Sequence, residues 1–443
     1  MPASTHPAPA PAPVAPGDPC PASAVSHGTG LVGLVGLFSW VMLARHYGWN
    51  GPNAALVCCV ATGLPMVLWS LLVDKVHRRA STGIDWSHPR AIKDVIDTSL
   101  IKLTGLWMTW AGIAAIYAVA RWYWQGNYQF SMRVLIYASP FLFFLSIPYV
   151  IWIDRYLKDQ HDGAWHLGAM ISGQPGWDKA AILHHLRAWA VKGFFLAFML
   201  SIVPGGYADI VNANVAEIAT NPVWIASWLI IAMFLVDVQF ATVGYVLTFK
   251  PLDSHIRTAN PYMSGWVAAL ICYPPFILMG DNGPLNYHLN RGEWFYWFEG
   301  NIPLLVVWGA WLVFLTGVYA WATVAFGIRF SNLTHRGILT HGPYRWTKHP
   351  AYLSKNLYWW FALMPFLVTN GSWVDGARNG ALMAAVSAVY YWRARTEERH
   401  LMADPDYAAY AAWMDRHGPI PRLIGRLTGR RVADTQAIVQ PAE

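Results

Sequence analysis

Two short segments in the last quarter of the chain hold the residue types best suited to chemistry. The first, 337–352, reads GILTHGPYRWTKHPAY, and the second, 393–401, reads RARTEERHL, followed by Tyr407 and Tyr410. In the first, Gly342-Pro343 breaks the chain, and Pro350 suits the first turn of a following helix. Backbone N–H groups freed at such a helix start can hold a carboxylate or another anion. In the second, Glu397 and Glu398 are adjacent, so on a helix they point about 100° apart. One of them can meet a cationic ligand while the other meets an arginine. Arg395 and Arg399 lie four apart and share a face suited to carboxylate or phosphate.

Something must bring these segments together. Between them lie two apolar runs, 356–370 and 377–393, which form a hairpin and return the chain to the side it left. Both segments then meet at one membrane face. They are the last of ten apolar runs near 29–44, 53–73, 103–124, 133–153, 190–204, 222–248, 265–280, 302–327, 356–370 and 377–393. About 20 apolar residues cross a bilayer; the runs 190–204, 265–280 (broken at Pro274-Pro275) and 356–370 are short. Hydrophobic types make up 55% of the 443 residues and charged types 12%, against about 25% charged in soluble domains. The expected fold is an all-α polytopic transmembrane bundle of about ten spans.

Most of the 31 Lys and Arg fall in 74–102, 154–189, 249–264, 328–355 and 393–443, whereas the opposite loops hold Arg45, Arg121, Arg133, Arg291 and Arg378. This alternation puts both termini on the positive, cytoplasmic side. The net charge of +7 therefore fits membrane orientation and anionic lipid headgroups, not nucleic acid. Cys20, Cys58, Cys59 and Cys272 form no CxxC pair, so neither a disulfide framework nor a zinc site is expected. The composition divides the chain into a Pro/Ala-rich disordered tail (1–27), an N-terminal membrane region (28–300), a motif-bearing membrane domain (301–427) and a cytoplasmic tail (428–443).

The ordered set GPYR, HPAY, EE and the two tyrosines resembles the isoprenylcysteine carboxyl methyltransferase and phospholipid methyltransferase group over about residues 325–422. The resemblance implies a membrane enzyme using S-adenosylmethionine. It implies cofactor roles for Gly342, Tyr344, His349, Pro350, Tyr352, Glu397 and Glu398. Arg345 and Arg395 would orient an anionic part of a lipophilic or lipidated acceptor, with Tyr407 and Tyr410 nearby. Asp404-Pro405 stands where the family usually has Phe-Gly, and Ser354 where Gly is common. Compact loops and no eukaryotic sorting signal lean toward a bacterial inner membrane.

Each element also has a plainer explanation. His349-Pro350 alone is an ordinary helix start, Glu397-Glu398 an ordinary solvated face, and Tyr344 and Tyr352 ordinary interfacial aromatics. The stretch 292–300 reads as an outer-interface aromatic belt. His184 and His185 are adjacent and point apart on a helix, which disfavours a metal site. Asp237 and Gln239 sit deep in a span, where an ionisable group is costly and either functional or bonded to another helix. A second reading is a NADPH-dependent sterol-type reductase, a family with a similar C-terminal part and a large number of spans. Its loop typically carries Gly-Trp-Trp-Gly, and Arg-Asp stands where this chain has Glu-Glu. A third is a transporter or non-catalytic protein using Asp237 and the broken span. Asp253, His255 and Arg257 are placed by the sequence near the same cytoplasmic pocket.

Overall fold

The structure, a computed structural model, describes residues 19–428. Sixteen helices follow one another in chain order. They are α1 His27–Tyr47, α2 Pro52–Leu72, α3 Ile92–Val119, α4 Tyr128–Asp154, α5 Gly163–Ile171, α6 Lys179–Ile202, α7 Tyr207–Asn212 and α8 Val215–Ile218. The second half adds α9 Pro222–Val246, α10 Met263–Leu270, α11 Trp294–Trp297, α12 Ile302–Phe326, α13 Pro350–Leu363, α14 Trp373–Leu401, α15 Pro405–His417 and α16 Pro419–Thr428. Two strands of two residues, β1 Thr258–Ala259 and β2 Thr334–His335, pair antiparallel. The protein is an all-α polytopic membrane bundle.

Among the described residues, seven helices are long and apolar enough to cross a bilayer: α1, α2, α3, α4, α6, α9 and α12. The run 190–204 proves to be the end of the 24-residue α6. The other three expected spans are built differently. Helices α9 and α12 run parallel, because Ala226 packs on Gly309 at one end while Asp237 meets Tyr319 and Thr323 further along. The chain must therefore return between them. It does so as α10 followed by turns through Pro274-Pro275, antiparallel to α14. Asn260 lies against Thr396, Cys272 and Met279 pack with Val386 and Met383, and Asn290 bonds Asp375 at 3.0 Å. Helix α13 spans only 14 residues, and α14 spans 29 but carries many polar side chains. These last two form the expected hairpin.

One end of the bundle gathers the basic loops. Ala24 bonds Ile338, Arg79 meets Asp253 at 3.6 Å, Lys158 bonds Gly83, and Arg257 bonds His335. Residues 19–26 belong to this face as well: Thr340 donates to the Pro21 carbonyl at 2.7 Å, and the Ser23 hydroxyl pairs with His341 at 2.8 Å. The expected disordered tail is thus wrong for these residues, because their polar groups pair with backbone and side-chain groups of the buried 338–341 loop; residues 1–18 lie outside the described residues, as do 429–443. The opposite end is closed by Arg45, which donates to the carbonyls of Ile210, Val211 and Ala213. There, in the stretch expected as an outer-interface belt, Trp294 is buried against Ala226 and Leu305 while Phe295 and Tyr296 are exposed.

The expected boundary near residue 300 separates regions of different sequence character but not packing units. Helix α12 packs on α9, and the 260–290 passage packs along α14.

Close approach of backbones sets the crossing of α3 and α5. A Cβ on Gly105 would lie 1.9 Å from the Ala164 carbonyl, and one on Gly168 would lie 1.8 Å from the Ile101 carbonyl. Small residues let membrane helices touch in this way. Gly112, on the same α3, has nothing within 4 Å of such a Cβ. We expect Gly105→Leu to abolish recovery of monodisperse protein in detergent and Gly112→Leu to leave its thermal midpoint nearly unchanged, as size-exclusion chromatography and melting would report.

Candidate functional site

The hairpin and the loop after α12 enclose one cavity that opens at the basic face and runs inward between α12, α13 and α14. Toward the basic end it is lined by His335, Lys348, His349, Glu397, His400 and Tyr407, and deeper in the bundle, at its floor, by Tyr273, Tyr319, Lys355, Tyr390 and Arg393. Local sequence explains the shape. Gly342 takes φ +58° and turns the chain under Trp321, and Pro350 starts α13. The β1–β2 pair then ties the loop to the chain after α9.

Helical phase sorts the residues of α14. Arg393, Glu397, His400 and Leu401 share the face toward the cavity. Glu397 accepts a hydrogen bond from the Tyr352 hydroxyl and lies 3.5 Å from Arg393. Arg393 is 2% exposed. It donates to Asn332 at 2.6 Å and to Tyr273 at 3.4 Å, and it stacks between the rings of Tyr352 (5.1 Å) and Tyr273 (5.4 Å). Asn332 is fixed in turn by the hydroxyl of Tyr245.

Glu398 points about 100° away, as adjacent helical residues do. It meets His349 at 2.9 Å, Arg395 at 2.8 Å and Lys348 at 3.5 Å. Burial alone would raise its carboxyl, but the His349 hydrogen bond and the charges of Lys348 and Arg395 outweigh that and hold it down at about 2. Its charge therefore persists across neutral pH and ties the 348–349 loop to α14. Lys348 also reaches Asp415 on α15 at 3.2 Å, and Tyr410 donates to the Tyr344 carbonyl at 2.7 Å, so α15 braces the same loop.

Of the sequence-selected residues, Tyr344, His349, Tyr352, Glu397, Tyr407 and Tyr410 line the cavity. Gly342, Pro350 and Glu398 lie just outside it and shape its wall. The two arginines chosen as catalytic do not reach it. Arg345 is exposed, and Arg395 is half-exposed and engaged by Glu398. Arg399 stacks on Tyr262 at 4.1 Å. Arg393 takes the inward place because it stands one helical turn before Glu397. That spacing is visible in the sequence, but it falls at the end of an apolar run, where a motif reading stops.

Asp253, His255 and Arg257 also lie outside the cavity lining. Asp253 binds Arg329 at 2.8 Å and Arg257 at 3.4 Å, which anchors the loop from behind. Arg336 spends its donors on the carbonyls of Ser254, Gly244, Phe330, Leu247 and Ile328, so it braces the loop and has none left for a ligand. Asp237 accepts from Tyr319 at 2.8 Å and from Thr323 at 2.5 Å, directly behind the cavity floor. Gln239 accepts from Cys59 instead, and His185 pairs with Thr109. Among the described residues no group of three His, Cys, Asp or Glu is placed to hold a metal.

In comparisons with known proteins, no family model, no curated protein and no solved structure matches the chain.

His400 is buried beside Thr258, to which it pairs at 2.9 Å; burial, reinforced by the charges of His335 and His184, pushes its imidazole down to about 4. The unfolded chain, with a histidine near 6.5, takes up that proton first. Stability from this group is thus present above about pH 6.5 and lost as pH falls toward 4, by at most about 1.4 kcal/mol per pH unit. We expect the thermal midpoint to fall between pH 7 and 4.5 and His400→Gln to flatten that slope. An unchanged slope would show that folded His400 accepts the proton.

Proposed function

We propose that the protein is a membrane-embedded methyltransferase that uses S-adenosylmethionine and acts on a lipophilic or amphiphilic acceptor. The observation that supports this best is the cavity lined by His349, Tyr352 and Glu397 near the charged face, which continues into the bundle as far as Lys355 and Tyr390. A polar cofactor would enter from the aqueous side, and an apolar acceptor from the bilayer side. By the positive-inside rule the charged face is cytoplasmic, and a bacterial inner membrane is the setting we favour.

The residues present suit the cofactor. Glu397 offers carboxylate oxygens to hydroxyl or ammonium donors. The face of Tyr407 suits a sulfonium, since aromatic rings attract cations. His335 Nε2 is buried without a hydrogen bond at the cavity wall and can meet a carboxylate. S-adenosylmethionine, when bound, supplies an activated methyl group whose departure needs no acid. The chain's own task is then alignment and exclusion of water, an effect worth several orders of magnitude in rate. The fixed stack of Tyr273, Arg393 and Tyr352 gives Glu397 a rigid setting, and the Glu398 cluster holds His349 at the mouth.

Titration calorimetry on detergent-purified protein, with S-adenosylmethionine and NADPH in parallel, tests the reading. Saturable binding of S-adenosylmethionine is expected. Glu397→Ala should weaken it roughly tenfold or more, the scale of a lost charged hydrogen bond. Glu398→Ala should weaken it through a loosened loop. Binding of NADPH in its place would make the protein a reductase, and binding of neither would leave transport as the reading to test.

A further inference from the structure

The cavity floor carries polar groups that cofactor binding leaves unused. Lys355, on α13, lines it with its ammonium 5.4 Å from the ring of Tyr319, 5.1 Å from Trp359 and 5.8 Å from Tyr390. Among the described residues it makes no hydrogen bond or ion pair, so three N–H donors remain free for a ligand oxygen. Tyr319 lines the same floor and donates its hydroxyl proton to Asp237, which stands behind it and also accepts from Thr323. The side chains that act on Asp237 are Tyr319 and Thr323 on α12, Lys355 on α13 and Tyr344 in the loop; Lys355 in turn faces Arg393 on α14 and Cys272 on the return passage.

The proton relay decides which acceptor fits. An acceptor that arrives as a carboxylate has no proton to give up and would leave Tyr319 and Asp237 without a task. A neutral acceptor with an acidic hydroxyl uses both, and it brings no charge of its own into the bundle, where charge is expensive. The surrounding rings of Tyr273, Tyr352 and Tyr390 favour a flat aromatic partner.

We infer that the acceptor is a neutral, membrane-soluble phenol, oriented by Lys355 and deprotonated through Tyr319 to Asp237. The inference rests on the methyltransferase reading. The phenol O–H bond breaks, and its proton goes to the Tyr319 oxygen as the Tyr319 proton goes to Asp237. The phenol oxygen uses its electron pair to form the O–CH3 bond. The S–CH3 bond breaks with its electrons left on sulfur as a neutral thioether, so no oxidant or reductant is required. Tyr319 and Lys355 are the catalytic residues here, and Asp237 acts through Tyr319.

The test uses the full chain in lipid nanodiscs. It follows transfer of radiolabelled methyl from S-adenosylmethionine to a long-chain alkylphenol and, separately, to a fatty carboxylate. The phenol should be methylated and the carboxylate not. Asp237→Asn and Tyr319→Phe should each lower kcat roughly 100-fold, the scale of general-base catalysis, with affinity for S-adenosylmethionine unchanged. Asp237→Glu should recover part of the rate. Activity of Asp237→Asn should return as pH approaches about 10, where a phenol ionises by itself, a response that a merely structural role would not give. Preference for the carboxylate, or full activity of both variants, would overturn the inference. Binding of S-adenosylmethionine without phenol methylation would overturn it alone, whereas no binding by the wild type would bring down the methyltransferase reading with it.

Discussion

A guanidinium held between two tyrosine rings sets the geometry of the cavity. Arg393 is nearly fully buried, so its charge must be met on all sides, and it is met from separate parts of the chain. Tyr273 comes from the return passage, Asn332 from the loop after α12, Tyr352 from α13 and Glu397 from α14 itself. A buried charge that loses one partner costs several kcal/mol. That cost fixes the relative positions of these four elements better than apolar packing alone would, because apolar packing tolerates sliding. The loop is held to the same point from behind by Arg336 and by Asp253 with Arg329.

The irregular return passage follows from the same constraint. A regular helix from 260 to 290 would satisfy its own backbone and would not need α14. The broken passage leaves backbone groups to be satisfied by turns and by neighbours, and non-helical backbone at membrane depth is tolerated only against protein or a polar cavity. Asn379 meets the Leu289 carbonyl at 2.7 Å and Asn260 meets Thr396, so α14 supplies polar partners along its length. This explains why α14 is long yet carries more polar side chains than the seven spanning helices. Its surface faces protein on the passage side and the cavity on the Arg393–Glu397 side.

Much of this was legible in the sequence. Long apolar runs and alternating basic loops announced the bundle, and the hairpin logic brought 337–352 against 393–410. Asp237 stood out because a carboxylate inside an apolar run has few explanations. Other features were not legible. Arg395 and Arg345 sit inside recognisable motifs but point away, since motif membership does not carry helical phase. Arg393 and Lys355 each border an apolar run and look like interfacial anchors. Only the three rings around Lys355 and the four partners of Arg393 distinguish them, and those partners lie far apart in sequence. The order of residues 19–26 was hidden because its partners lie far along the chain, Asp74 and Arg79 about 50 positions away and Ile338 to His341 more than 300.

In the proposed methyltransferase, S-adenosylmethionine binds in the cavity between His349, Tyr352 and Glu397. The most direct measurement is ultraviolet photolabelling of the purified protein with radiolabelled S-adenosylmethionine, followed by peptide mapping. Label is expected in peptides that contain Tyr344–Tyr352 or Tyr390–Leu401, suppressed by excess unlabelled cofactor and by Glu397→Ala. Competable label confined to other parts of the chain, or no competable label at all, would contradict it.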